Sequence, residues 1–162
     1  MDMDLHDYIK AFGPLPEDKA KLVIKKLAEA VKHCHDNGII HRDLKPDNIL
    51  LKLDKNNDIL DIQLADFGIC KENKKHLCVN GFSGTPCFTA PEMFKFGQTF
   101  DQGVDIWCLG LISHFIMVGY HPMDKFENIN EVAKFIFQHE EIVQTDDEKW
   151  EDYTIEGLDL VE

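Results

Sequence analysis

The sequence predicts a mainly α fold with a few short β-strands, and three observations carry that expectation. After Pro16 the residues Ala20, Val23, Ile24, Leu27, Val31 and Cys34 recur at three- and four-residue intervals. A nearly unbroken apolar stretch runs from about Gly103 to Val118. Between them lie only brief apolar runs, Ile39-Ile40, Ile49-Leu50-Leu51 and Ile59 to Leu64, each the length of a small strand. A helix repeats every 3.6 residues, so the first set shares one face, whereas runs of two to six apolar residues are too short for stable helices.

Taken in order, the first helix has Glu17 and Asp18 at its start, where acids favour the positive end of the helix dipole, and Gly38 beyond its end. Lys55-Asn56-Asn57-Asp58 supplies turn residues between the last two strands. Residues 69–91 lack periodicity and contain Gly81, Gly84, Pro86 and Pro91, the composition of a long loop of the kind that often carries function. A helix over Gly103 to Val118 follows, then a shorter one over about Asn130 to Gln138, where Ile129, Val132, Phe135 and Ile136 share a face. Thr154 and Glu156 are placed to open a last helix.

With 162 residues, 44% hydrophobic and 29% charged, the chain has the composition of one soluble domain or part of a larger one. The net charge is −13, and residues 124–162 contribute most of it, holding 13 acids against Lys125, Lys134 and Lys149. That balance excludes nucleic acid or an anionic membrane as the main partner, because both require a cationic face. The most apolar window, Ile106 to Met117, is too short to cross about 30 Å of hydrocarbon and is expected to be a buried helix. Five cysteines, Cys34, Cys70, Cys78, Cys87 and Cys108, lack Cys-x-x-Cys spacing, so free thiols and a cytoplasmic location are expected, with the nucleus left open. No N-terminal stretch has the form of a signal peptide.

The chemistry is written in His41-Arg42-Asp43-Leu44-Lys45-Pro46-Asp47-Asn48, followed by Asp66-Phe67-Gly68. Asp43 and Asn48 fall in a loop between two short strands, and Lys45 puts a cation within reach of both. Asp66 leaves a strand at a turn made by Gly68. Asn48 and Asp66 are hard oxygen ligands of the kind Mg²⁺ accepts alongside waters and phosphates. Asp43 then remains as a proton acceptor, and Lys45 can neutralise a transferring phosphoryl group. Phosphoryl transfer is the reaction this set fits.

These residues resemble the protein kinase family. The likeness rests on His41-Arg42-Asp43 with Lys45 and Asn48, on Asp66-Phe67-Gly68, on Gly84-Thr85-Pro86 leading to Ala90-Pro91-Glu92, and on Asp105-x-Trp107-x-x-Gly110, all in family order. The resemblance implies that Asp43 is the catalytic base, that Asn48 and Asp66 hold Mg²⁺, and that Lys45 contacts the γ-phosphate of ATP. Lys45 with Thr85 is similar to the serine/threonine branch, whose partner is a protein hydroxyl. Leu50 resembles the residue under the adenine ring. Asp4 resembles the acid that reaches the ribose and is equally well placed to cap a helix. His41 and Phe67 resemble stacked structural residues, and Asp105 the carboxylate that holds the catalytic loop's backbone.

For regulation, Arg42 and Lys71 are placed to form a cationic pocket for a phosphate on the 69–91 loop. Family members often carry the acceptor four residues before the threonine matching Thr85, where this chain has Gly81. Either Ser83 serves instead, or the loop needs no phosphate, as in some calmodulin-dependent kinases whose Gly-Phe-x-Gly-Thr-Pro run is similar to Gly81 to Pro86; the second is preferred.

The likeness begins near Met1, with Asp4 to Ile9 resembling the segment after the hinge, and Gly-x-Gly-x-x-Gly occurs nowhere. The family's strand lysine and the arginine partner for Glu92 find no match. Residues 1–162 are therefore expected to form a protein-kinase-like C-terminal lobe, truncated at both ends, with the N-terminal β lobe absent and little activity in isolation. A non-catalytic pseudokinase or interaction fragment is the alternative.

Overall fold

Helix α2 is the backbone of the molecule: it spans Glu17–Asp36 and buries Ala20, Val23, Ile24, Leu27, Val31 and Cys34 along one stripe. A computed structural model of the chain describes residues 1–68, 86–94, 100–126, 128–138 and 142, with the backbone of 71 and 72. Against the α2 stripe packs α3, Gly103–Val118, which is apolar all round and has buried residues on every face from Leu111 to Val118. A helix with no polar face belongs in a core. Two of its buried polar side chains are satisfied locally, Ser113 Oγ donating to the Leu109 carbonyl at 2.8 Å and His114 Nδ1 lying 3.0 Å from the Tyr120 carbonyl. Among the described residues no helix is long and apolar enough to cross a membrane.

A helix whose cap the sequence offered at Asp4, but whose extent it left unassigned, opens the chain. After the short strand β1, Met3–Asp4, α1 covers Leu5–Phe12. Asp4 is its N-cap, accepting the Asp7 N–H at 2.8 Å, and Gly13 at φ 82° ends it by donating to the Ile9 carbonyl. Both signals were present in the sequence.

The strands are short, as expected. β2 is Ile39–Ile40, β3 is Ile49–Leu53 and β4 is Ile59–Leu64, with β5, Lys71–Glu72, returning beside β2 inside the stretch expected to be loop, where backbone pairing rather than apolar pattern makes the strand. β1, β3 and β4 form one antiparallel sheet, with Asp4 opposite Leu50 and Ile49 opposite Leu64. β2 and β5 form a second, with Ile40 opposite Lys71. At the β3–β4 turn Asp54 Oδ1 accepts the N–H groups of Asn56 and Asp58, and Asn57 adopts φ 65°. Lysines on the exposed side of α2 hold this hairpin down: Lys19 pairs with Asp58, and Lys26 reaches the Leu60 carbonyl and Asp61.

Helix α4, Ile129–Gln138, buries Val132 and Ile136 against Leu111 and Met123. Of the expected long loop, Pro86–Phe88 and Pro91–Phe94 form single 3-10 turns. Ser83, Thr85 and the helix anticipated from Thr154 lie outside the described residues.

Candidate active site

The site is assembled from α3 upward. Asp105, in the first turn of α3, is fully buried, and its two oxygens accept the backbone N–H groups of His41 and Arg42 at 2.8 Å each. A carboxylate only accepts, so His35 Nε2, in the last turn of α2 and 2.8 Å away, donates a further bond to it. Three donors on one buried acid meet the cost of placing that acid in the core. They also sustain Arg42 at φ 71°, a left-handed conformation that costs a non-glycine residue about 1–2 kcal/mol.

His41 transmits this anchorage. Its Nδ1 accepts the Asp43 N–H at 3.3 Å and its Nε2 donates to the Ala65 carbonyl at 3.1 Å, which assigns the ring proton to Nε2. The His41 and Phe67 rings are 4.9 Å apart, as the resemblance implied, and Phe67 remains 45% exposed. From the other side, the Ala65 N–H donates to the Asn48 carbonyl at 2.9 Å. Ala65 is thus pinned to both ends of the 41–48 loop, and Asp66 is the next residue. Asp66 sits at φ 59°, which an aspartate tolerates when its side chain closes a local turn; here Oδ1 accepts the Gly68 N–H at 3.2 Å.

Within the loop, Pro46–Asn48 forms a 3-10 turn that buries Asn48. Asn48 Nδ2 donates to the Asp43 backbone carbonyl at 2.8 Å and to Asp43 Oδ2 at 3.1 Å. Lys45 Nζ lies 3.6 Å from that same oxygen. Asp43, Lys45 and Asn48 are therefore one contiguous cluster, and Asn48 spends its amide hydrogens on Asp43. Among the described residues its side-chain oxygen has no hydrogen-bond donor, so an oxygen ligand remains beside the segment that carries Asp66. An amide oxygen and a carboxylate fit a hard cation of the Mg²⁺ class.

Asp4 and Leu50 are brought together as register partners on β1 and β3, with Leu50 partly buried and the Asp4 carboxylate engaged as the α1 cap. Arg42 is buried, and its guanidinium stacks 5.2 Å from the centre of the Phe100 ring. The Lys71 backbone pairs with Ile40, two residues before Arg42, while its side chain lies outside the described residues. Sequence reasoning missed His35 and the hub at Ala65. Neither had a local signal, since both act through partners distant in the chain.

A family model described as a protein kinase domain matches residues 1–162. The chain belongs to the protein kinase family. Its relatives place it on the serine/threonine branch. It is 39% identical over 133 residues to calcium/calmodulin-dependent protein kinase cmkB of Emericella nidulans, covering 80% of this chain and 32% of that protein. It is 37% identical over 140 residues to calcium/calmodulin-dependent protein kinase type I of Schizosaccharomyces pombe, covering 85% of this chain and 40% of that protein. A third relative is the probable serine/threonine-protein kinase MARK-C of Dictyostelium discoideum, 36% identical over 121 residues, covering 75% of this chain and 15% of that protein. The kinase chain thus spans well under half the length of these relatives. Cys108, on α3 beneath this site, is a poor candidate for thiol chemistry: burial, then the nearby Asp105, pushes its pKa far above the usual thiol range.

Proposed function

We propose that residues 1–162 form the C-terminal lobe of a serine/threonine protein kinase that transfers the γ-phosphoryl group of ATP to a protein hydroxyl. The observation that carries this reading is the double hold of Asn48 Nδ2 on Asp43, made beside a backbone bond from Ala65 to Asn48. It supports a base kept in one rotamer next to two prospective metal ligands.

In this mechanism Asp43 orients the substrate hydroxyl and accepts its proton as the oxygen attacks phosphorus. Lys45 screens the negative charge on the transferring group. Asn48 and Asp66 hold Mg²⁺, which when bound neutralises charge on the nucleotide phosphates. Leu50 and Asp4 contact the adenine and ribose ends of the nucleotide. Arg42 and Lys71 are assigned as the cations that would receive a phosphate on Ser83 or Thr85, and catalysis is assigned to need no such phosphate.

The test is phosphoryl transfer by the full-length kinase. Asp43→Asn is expected to lower kcat about 10² to 10⁴-fold, the usual worth of a general base, and Asp66→Asn to lower it further, because charge neutralisation supplies more of the rate. Wild-type turnover by either variant would overturn the assignment. Ser83→Ala is expected to leave activity intact. Residues 1–162 alone are expected to bind Mg-ATP weakly and transfer phosphate negligibly, because Phe67 then stays exposed and no glycine-rich loop covers the phosphates; measurable turnover by that chain would count against this part of the reading.

A further inference from the structure

A second cluster of metal-ligating side chains lies away from the catalytic loop, where the Pro86–Phe88 turn meets the segment after α3. Cys87, His121 and Asp124 each offer one ligand atom there, and the three atoms lie within 4.8 Å of one another. The cluster is braced: the Cys87 thiol donates to the Met123 carbonyl at 3.7 Å, the His121 N–H donates to Asp124 Oδ2 at 3.1 Å, and the Phe88 and His121 rings meet edge to face, 4.4 Å between centres. His121 is only 4% exposed, and its Nε2 is buried with no hydrogen-bond partner.

We propose that Cys87, His121 and Asp124 form a binding site for a divalent cation of the Zn²⁺ class, with a fourth position left open. A thiolate with an imidazole selects a borderline-soft ion over Mg²⁺ or Ca²⁺, which want oxygen ligands only. Bringing donors from within 4.8 Å of one another onto one ion requires a small inward movement, and Asp124 is exposed, with one carboxylate oxygen held by the His121 N–H. Binding displaces the Cys87 thiol proton to solvent, which removes the weak S–H donation to the Met123 carbonyl. It also removes the bond of the Met123 N–H to His121 Nδ1 at 3.1 Å: an ion at Nδ1 replaces that donor, and an ion at Nε2 leaves a proton on Nδ1 facing it. Two neutral hydrogen bonds, one of them a weak thiol bond, are a small loss beside metal–sulfur and metal–nitrogen bonds. Occupied, the site ties the turn directly after Thr85 to the end of α3. The inference is independent of phosphoryl transfer.

The test is Co²⁺ titration of the metal-stripped full-length protein, read as thiolate-to-cobalt charge-transfer absorption with tetrahedral d–d bands, followed by displacement with Zn²⁺. One equivalent of Co²⁺ is expected to generate both features, and Zn²⁺ to abolish them. Cys87→Ser should remove the charge-transfer band, Cys34→Ser should leave it, and Asp124→Asn, at an exposed position that does not threaten folding, should weaken Co²⁺ binding about 10-fold or more. Absence of the band in the wild type, or its persistence at unchanged affinity in Asp124→Asn, would overturn the site.

Discussion

Asp105 Oδ1 accepts the backbone N–H of Arg42 at 2.8 Å while Arg42 is held at φ 71°, so a carboxylate on α3 supports a strained residue next to Asp43, the proposed base. Asp105→Asn keeps the size but offers one acceptor oxygen, leaving one of three donors facing an amide N–H. Loss of a charge-assisted bond in a fully buried place is expected to destabilise the fold by about 2–4 kcal/mol. Urea unfolding measures it, and an unchanged midpoint would show that the acid does not bear this load.

Substitution of Asn48 tests the proposed metal-binding and base-positioning roles separately. Asn48→Asp retains an oxygen ligand but removes the donor bonded to Asp43 and sets a like charge about 3 Å from Asp43 Oδ2. A neighbouring negative charge raises a carboxyl pKa. The acidic limb of the kcat–pH profile should therefore move to higher pH, with kcat lowered at every pH. A profile that falls without shifting would limit Asn48 to the metal.

His121 makes stability depend on pH. Burial pushes its pKa down from 6.5 to about 4, so the folded state keeps it neutral while the unfolded state gains a proton. Its stabilising contribution is complete above pH 6.5 and is lost as pH falls toward 4, by up to about 3 kcal/mol. Thermal melts in the presence of a chelator should decline over that interval, and His121→Asn should flatten this component of the slope.

Asn57 occupies φ 65° at the tip of the β3–β4 hairpin, with its carbonyl accepting the Tyr8 hydroxyl at 2.9 Å. Asn57→Gly should be neutral or slightly stabilising, since glycine enters this region without strain. Asn57→Val should cost about 1–2 kcal/mol, because a β-branched residue clashes there. Equal melting temperatures for the two variants would contradict the left-handed turn.

Much of this protein was determined by local pattern. The 3.6-residue repeat from Ala20 to Cys34 and the apolar run to Val118 predicted α2 and α3 nearly residue for residue, because amphipathic and fully apolar helices follow directly from what each can bury. The order of the 41–48, 66–68, 90–92 and 105–110 motifs indicated the family. Helix α1 is legible too, in the cap at Asp4, the apolar Leu5, Tyr8 and Ile9 and the terminating Gly13. The resemblance also pointed to Asp105 as the acid that holds the 41–42 backbone, but tertiary structure alone decided that His35 would join it, that Ala65 would join both ends of the loop, and that Cys87 would approach His121 and Asp124. Such contacts join residues tens of positions apart. They depend on how α2, α3 and the strands dock, which no single segment encodes.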